Sequence, residues 1–133
     1  MIAGVADTHT ALWYLFGDSR LTATAKQFID KAATARLTIA LAPSSLAEVV
    51  YLVEKKRLLP SAYSDLRNAL ANPNHVLEEA PFTADVVEAM RQVARDSVPD
   101  MPDRIVAATA VYFGVPVISR DGRIRASTVQ TVW

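Results

Sequence analysis

Met1-Ile-Ala-Gly-Val-Ala-Asp-Thr-His-Thr-Ala-Leu-Trp13 opens the chain and decides how the rest is read. No polar side chain interrupts the run to Ala6, Asp7 closes it, and Thr8–Phe16 reads as a helix ended by Gly17-Asp18. A short apolar run without alternation suits a strand buried on both faces, as parallel strands are. The unit then recurs. Leu37-Thr-Ile-Ala-Leu-Ala42 reads as a second buried strand, and Pro43-Ser44-Ser45 starts a helix that runs to about Lys56.

Between these two units Thr22 caps a helix to about Ala35, with Ala25, Phe28, Ile29 and Ala32 on one face. Pro60-Ser61 starts a helix to about Leu70, terminated by Asn72-Pro73-Asn74. Val76–Glu79 is a weak strand, and Thr83 caps a fifth helix to about Arg95. Val98-Pro-Asp-Met-Pro102 reads as a rigid turn before a helix over Asp103–Phe113, with Gly114 at its C-terminal cap. Val117–Ser119 and Thr128–Val132 are the last expected strands. Strands that alternate with helices imply a parallel sheet covered on both faces, here as one α/β domain over residues 1–133.

Composition narrows the function classes. The chain has 133 residues, enough for one core, and 51% of them are hydrophobic, which suits a doubly covered sheet. No apolar run approaches the ~20 residues that span a bilayer, and no basic region precedes the first strand, so a cytoplasmic protein is expected. Cysteine is absent, which removes disulfides and thiolate metal sites. Net charge is zero, against the basic excess of a constitutive nucleic-acid binder, although an acidic pocket ringed by arginines is compatible with that balance.

Four carboxylates stand out: Asp7, Glu48, Asp103 and Asp121. Each has a local explanation. Asp7 can cap the first helix, Ser45-Leu-Ala-Glu48 fits a capping box, Asp100 and Asp103 can cap the helix around Pro102, and Asp121-Gly122 is an ordinary turn pair. Capping does not explain why acids recur at the ends of buried strands, where ligand sites of parallel sheets gather. Two carboxylates ~4 Å apart repel by about 4 kcal/mol at an effective dielectric near 20. Magnesium or manganese, both oxygen-seeking, removes that penalty. Such a centre suits phosphodiester hydrolysis: the cation lowers the pKa of a water and a carboxylate accepts its proton. Thr8 and Ser119 are placed to orient the acids or to cap backbone.

At these residues the chain resembles the PIN-domain ribonucleases, most of all the VapC-type toxins of toxin–antitoxin modules. The resemblance spans Val5-Ala-Asp-Thr-His-Thr-Ala-Leu-Trp13, Ser44-Ser-Leu-Ala-Glu-Val49, Met101-Pro-Asp-Arg-Ile-Val-Ala-Ala-Thr-Ala110 and Val115-Pro-Val-Ile-Ser-Arg-Asp121. It implies a three-layer α/β/α PIN-like fold with a central parallel sheet flanked by helices. It also implies a Mg²⁺- or Mn²⁺-dependent endoribonuclease whose acids are Asp7, Glu48, Asp103 and Asp121, with Ser119 where the family has Thr or Ser. Its expected substrate is a structured RNA such as tRNA or rRNA, cut to a 5′-phosphate and a 3′-hydroxyl. The expected partners are a second copy of the chain, as a homodimer, and a VapB-type antitoxin.

Arg104, Arg120 and Arg123 lie near the acids and are candidates for RNA phosphates, with Arg125 close by. Lys55-Lys-Arg57 is explained by its place at a helix end. His9 is read as an oriented helix histidine that is able to face the site, and His75 as a loop residue. The first helix is apolar nearly all round through Leu12, Trp13, Tyr14, Leu15 and Phe16, so one side is available to an antitoxin helix or a second subunit. Leu46, Val49, Val50 and Val53 suggest a further core or interface wall. Two other functions compete: a binding module without turnover, and a phosphatase with Asp7 as covalent nucleophile. The second lacks an Asp at position 9 and a lysine after a late strand. No phosphate-binding GxxxxGK[ST] loop is present.

Overall fold

A computed structural model describes Met1–Trp133. Five parallel strands form one sheet: β1 (Ile2–Ala6), β2 (Thr38–Leu41), β3 (Leu77–Glu79), β4 (Val117–Ile118) and β5 (Thr131–Val132). Their order is β3-β2-β1-β4-β5, with Val5 and Ala6 opposite Ala40 and Leu41 on one side and opposite Val117 and Ile118 on the other. The chain builds outward from β1 to β3 and then crosses back to β4. The crevice between the carboxyl ends of β1 and β4 is therefore the topological switch point, where ligands of such sheets bind.

Alternation along the strands feeds two cores. Ala6, Ile39, Leu41 and Ile118 face one, while Val5, Ala40, Ala42 and Val117 face the other, all fully or almost fully buried. The first core is closed by α1 (Thr8–Phe16), α2 (Ala23–Thr34), α3 (Pro43–Glu54) and α4 (Pro60–Ala71). Ala25, Ile29 and Ala32 of α2 are buried and Phe28 packs beside them, as the sequence periodicity predicts. Phe28 also lies over Gly4, where an added Cβ would stand 3.0 Å from its ring and 3.3 Å from the Pro116 carbonyl, so β1 has no room there for a larger residue. The second core is closed mainly by α6 (Met101–Phe113), whose fully buried Ala107 and Ala110 permit close approach to the sheet. Gly114 caps α6 in the left-handed conformation, φ 66°, as its position predicts.

Three local expectations are corrected. The fifth helix does not reach Arg95: α5 is Ala84–Ala89, followed by a 3-10 turn over Met90–Gln92. The helix carrying Asp103 starts two residues early, at Met101, because Asp100 is its N-cap and Pro102 fits the first turn, where no N–H is needed. A helix absent from the sequence reading, α7 (Gly122–Ala126), follows Asp121.

Candidate active site

Asp7, Glu48, Asp103 and Asp121 line one pocket of about 310 Å³. Thr8, His9, Trp13, Asp100 and Arg120 complete it. The expected four acids thus come from four elements: the ends of β1 and β4, the body of α3 and the first turn of α6. Asp100 and His9, both left open by the sequence, join them.

Each acid is anchored differently. Asp7 Oδ1 accepts the Thr10 N–H at 2.9 Å, capping α1, and Asp7 Oδ2 takes the Ser119 hydroxyl. Ser119 is fully buried, and its Oγ also accepts the Asp121 N–H at 2.9 Å. It therefore ties the end of β1 to the loop after β4. Asp121 Oδ1 caps α7 through the N–H groups of Arg123 and Ile124, at 2.9 and 3.0 Å. Asp100 Oδ1 caps α6 through the Asp103 N–H at 3.2 Å. Capping and site-lining are thus not alternatives for these residues, because one oxygen caps and the carboxylate still faces the pocket.

Glu48 departs from its expected local role. The N-cap of α3 is Ala42 and the helix opens on Pro43, so Ser45 and Glu48 do not form a capping box. The Ser45 hydroxyl is buried without a partner. Glu48 instead stands one turn further along and points its carboxylate to the pocket.

Asp103 registers the crowding. Burial pushes its carboxyl up to about 7, helped by the negative charges of Asp100, Asp121, Glu48 and Asp7. No three carboxylate or imidazole groups are gathered closely enough to hold a metal ion as placed. The chemistry of the donor set nonetheless fits a hard divalent cation. The donors are carboxylate oxygens without sulfur, and their mutual repulsion is the cost a cation offsets.

The arginines divide. Arg120 lines the pocket, with its guanidinium 4.6 Å from the centroid of the Trp13 ring. Arg123 is exposed and does not line it. Arg104, expected at a phosphate, is turned to the protein: its Nη2 donates to the carbonyls of Met90 and Val93, at 3.0 and 3.1 Å. The Met90 carbonyl also accepts the Val93 N–H at 3.0 Å, closing the 3-10 turn, and the Val93 carbonyl lies just beyond that turn, so the guanidinium braces the end of the helix. Trp13 lines the pocket, although sequence reasoning places it in the apolar first helix and finds no support for base stacking on it. Its position one helical turn after His9 was the available signal, and the rings of the two stand 5.6 Å apart. His75 lies at the far edge of the sheet, where its Nδ1 accepts the Leu77 N–H at 3.0 Å.

The architecture is a doubly wound parallel sheet with an acidic pocket at its switch point. Residues 5–128 match the family model described as PIN domain, and the chain belongs to that family. It is similar over its whole length to a chain in the crystal structure of VapBC2 from Rickettsia felis bound to a DNA fragment from their promoter. There the TM-score is 0.67 at 18% identity, covering 100% of both chains. A toxin–antitoxin complex from Klebsiella pneumoniae gives a TM-score of 0.60 at 20% identity, covering 98% of this chain and 97% of that one. At these identities the likeness is one of fold. No curated protein matches the sequence. No helix is long and apolar enough to cross a membrane.

Proposed function

We propose that this protein is a Mg²⁺- or Mn²⁺-dependent endoribonuclease of the VapC type, the toxin of a pair with a VapB-type antitoxin. The observation that carries the reading is that Asp7, Glu48, Asp100, Asp103 and Asp121, brought together from separate elements, line one pocket at the switch point of the sheet. Membership of the PIN family and likeness of fold to the Rickettsia felis and Klebsiella pneumoniae toxin–antitoxin complexes support it.

Asp7, Glu48, Asp103 and Asp121 would hold the cation, which supplies polarisation of a phosphoryl oxygen and a more acidic water. The chain's own residues do the rest. Ser119 fixes Asp7 through Oδ2, and the Thr10 N–H fixes it through Oδ1, so the carboxylate keeps one orientation. With both oxygens already accepting hydrogen bonds, Asp7 suits a ligand better than the covalent nucleophile of a phosphatase. A carboxylate of the cluster accepts the proton of the attacking water, and Arg120 faces the incoming phosphate. The substrate is an RNA, in our reading a structured one such as tRNA or rRNA. The active form is a homodimer, for which the exposed Val50 and Tyr51 of α3 offer apolar surface.

The test is cleavage of total cellular RNA by antitoxin-free protein with Mg²⁺ or Mn²⁺, beside EDTA and Asp7→Asn controls. Discrete fragments with 5′-phosphates that vanish in both controls are expected. Intact RNA with folded, cation-binding protein would favour a binding module without turnover.

A further inference from the structure

RNA is a polyanion, and the pocket proposed to cut it is lined by five carboxylates. Arg120 is the one arginine or lysine among the lining residues. Attraction alone would draw it onto a neighbouring acid, yet it joins none of the chain's ion pairs, which are Arg20–Asp18, Lys26–Asp30 and Arg91–Glu88. Its guanidinium rests against the indole of Trp13, 4.6 Å from the ring centroid. A ring face attracts a cation without consuming its N–H donors, so the fork stays free for an oxyanion.

Trp13 is a fixed platform. It is 6% exposed, and the Trp133 ring packs against it at 5.9 Å. Arg20 also lies over the Trp13 ring, 5.0 Å from its centroid, and is itself clasped by Asp18 through contacts of 3.0 and 2.7 Å. Arg20 is thus committed to a carboxylate, whereas Arg120 on the same indole is not. The difference between these two arginines separates a support from a ligand-binding group.

We propose that Trp13 is a positioning residue that holds Arg120 off the carboxylates, so that its guanidinium grips a phosphodiester group of RNA entering the acidic pocket. This rests on the ribonuclease reading. A guanidinium takes two phosphate oxygens at once, which orients the group as well as attracting it. Trp13 itself touches no substrate in this scheme and acts through Arg120.

The test is a double-mutant cycle on binding, made in Asp103→Asn protein so that turnover does not intrude. The probe is a fluorescein-labelled single-stranded RNA of mixed sequence with Mg²⁺, read by anisotropy over a salt series. Arg120→Ala should weaken binding about 10-fold or more and lower the salt slope by about one. Trp13→Leu should cost about as much alone, but less than about twofold once Arg120 is already alanine. Trp13→Phe, which keeps a ring face, should stay within about threefold of its parent. Losses that multiply, or folded Trp13→Leu protein that binds like its parent, would overturn the proposal. Should Trp13→Leu not fold, indole emission decides. In Trp133→Phe protein, where Trp13 is the remaining tryptophan, RNA should shift the emission, and Arg120→Ala should abolish that shift. An unchanged emission would overturn the proposal as well. Failure of the nuclease reading looks different: wild-type protein with Mg²⁺ leaves RNA intact while the binding cycle still holds.

Discussion

The Ser119 hydroxyl donates to Asp7 across the seam between β4 and β1, and at the same time accepts the Asp121 N–H. One buried oxygen atom thus sets the orientation of one acid and the backbone position of another. Ser119→Ala leaves the Asp121 N–H without its acceptor and lets Asp7 turn about its remaining hydrogen bond. Cleavage should fall about 10- to 100-fold, with a loss of about 1–2 kcal/mol in stability. Ser119→Thr keeps the hydroxyl and should retain most activity. Rates and melting curves on the two variants check this, and an active, stable alanine variant would refute it.

The carboxyl of Asp103 gives a pH dependence whose sign is fixed. Its folded value of about 7 lies above the unfolded value of about 3.9. Between them the folded chain retains a proton that the unfolded chain has released. Cation-free protein should therefore be most stable below about pH 4, as far as this group is concerned, and should lose that contribution as pH rises to about 7. Asp103→Asn removes the titration. In EDTA at about pH 8 it should melt a few degrees above wild type, about 1–2 kcal/mol after allowing for screening of a half-exposed carboxyl. Cleavage should rise through the same window, because cation binding displaces the proton. Melting temperatures across the range decide it.

Glu48 lines the pocket but caps nothing, since α3 opens without any side-chain cap. Glu48→Gln should therefore abolish most cleavage and leave the melting temperature within about 2 °C of wild type. A variant that melts early yet still cleaves would restore the capping-box interpretation.

Arg104 should behave in the opposite way. Its guanidinium serves the Met90 and Val93 carbonyls, so Arg104→Ala removes the side-chain donor from both and leaves the Met90 carbonyl with the Val93 N–H alone. The expected cost is about 1–3 kcal/mol of stability, with the KM for RNA unchanged. A raised KM with normal melting would return Arg104 to the substrate.

Where sequence reading succeeded and where it failed follows from what each signal measures. Apolar runs and caps placed β1, β2, α1, α2 and α4 within a residue or two, because burial and capping act locally there. The fifth helix ends earlier than its pattern predicts, and the Val93 carbonyl beyond it is met by Arg104, a partner 11 residues further on that no local pattern encodes. A five-residue helix opening on Gly122 shows no periodicity, and Asp121-Gly122 reads equally well as a turn. For the site, placement after buried strands pointed to Asp7, Glu48 and Asp121 and a helix start pointed to Asp103, four acids that line one pocket, and the resemblance ordered them. It could not find Trp13, since an indole in an apolar helix gives no sign of which side chains will stack on it.

The three aspartates that cap helices carry a consequence for how function is lost. Asp7, Asp100 and Asp121 start α1, α6 and α7 with an oxygen that an asparagine amide also possesses. Replacing the other oxygen by nitrogen erases the charge and spares the hydrogen bond that begins the helix, although at Asp7 it gives up the bond from the Ser119 hydroxyl. The fold is thus only one isosteric exchange away from an inert copy of itself. Such a copy would keep the shape of the native chain and every surface outside the pocket while being unable to gather a cation.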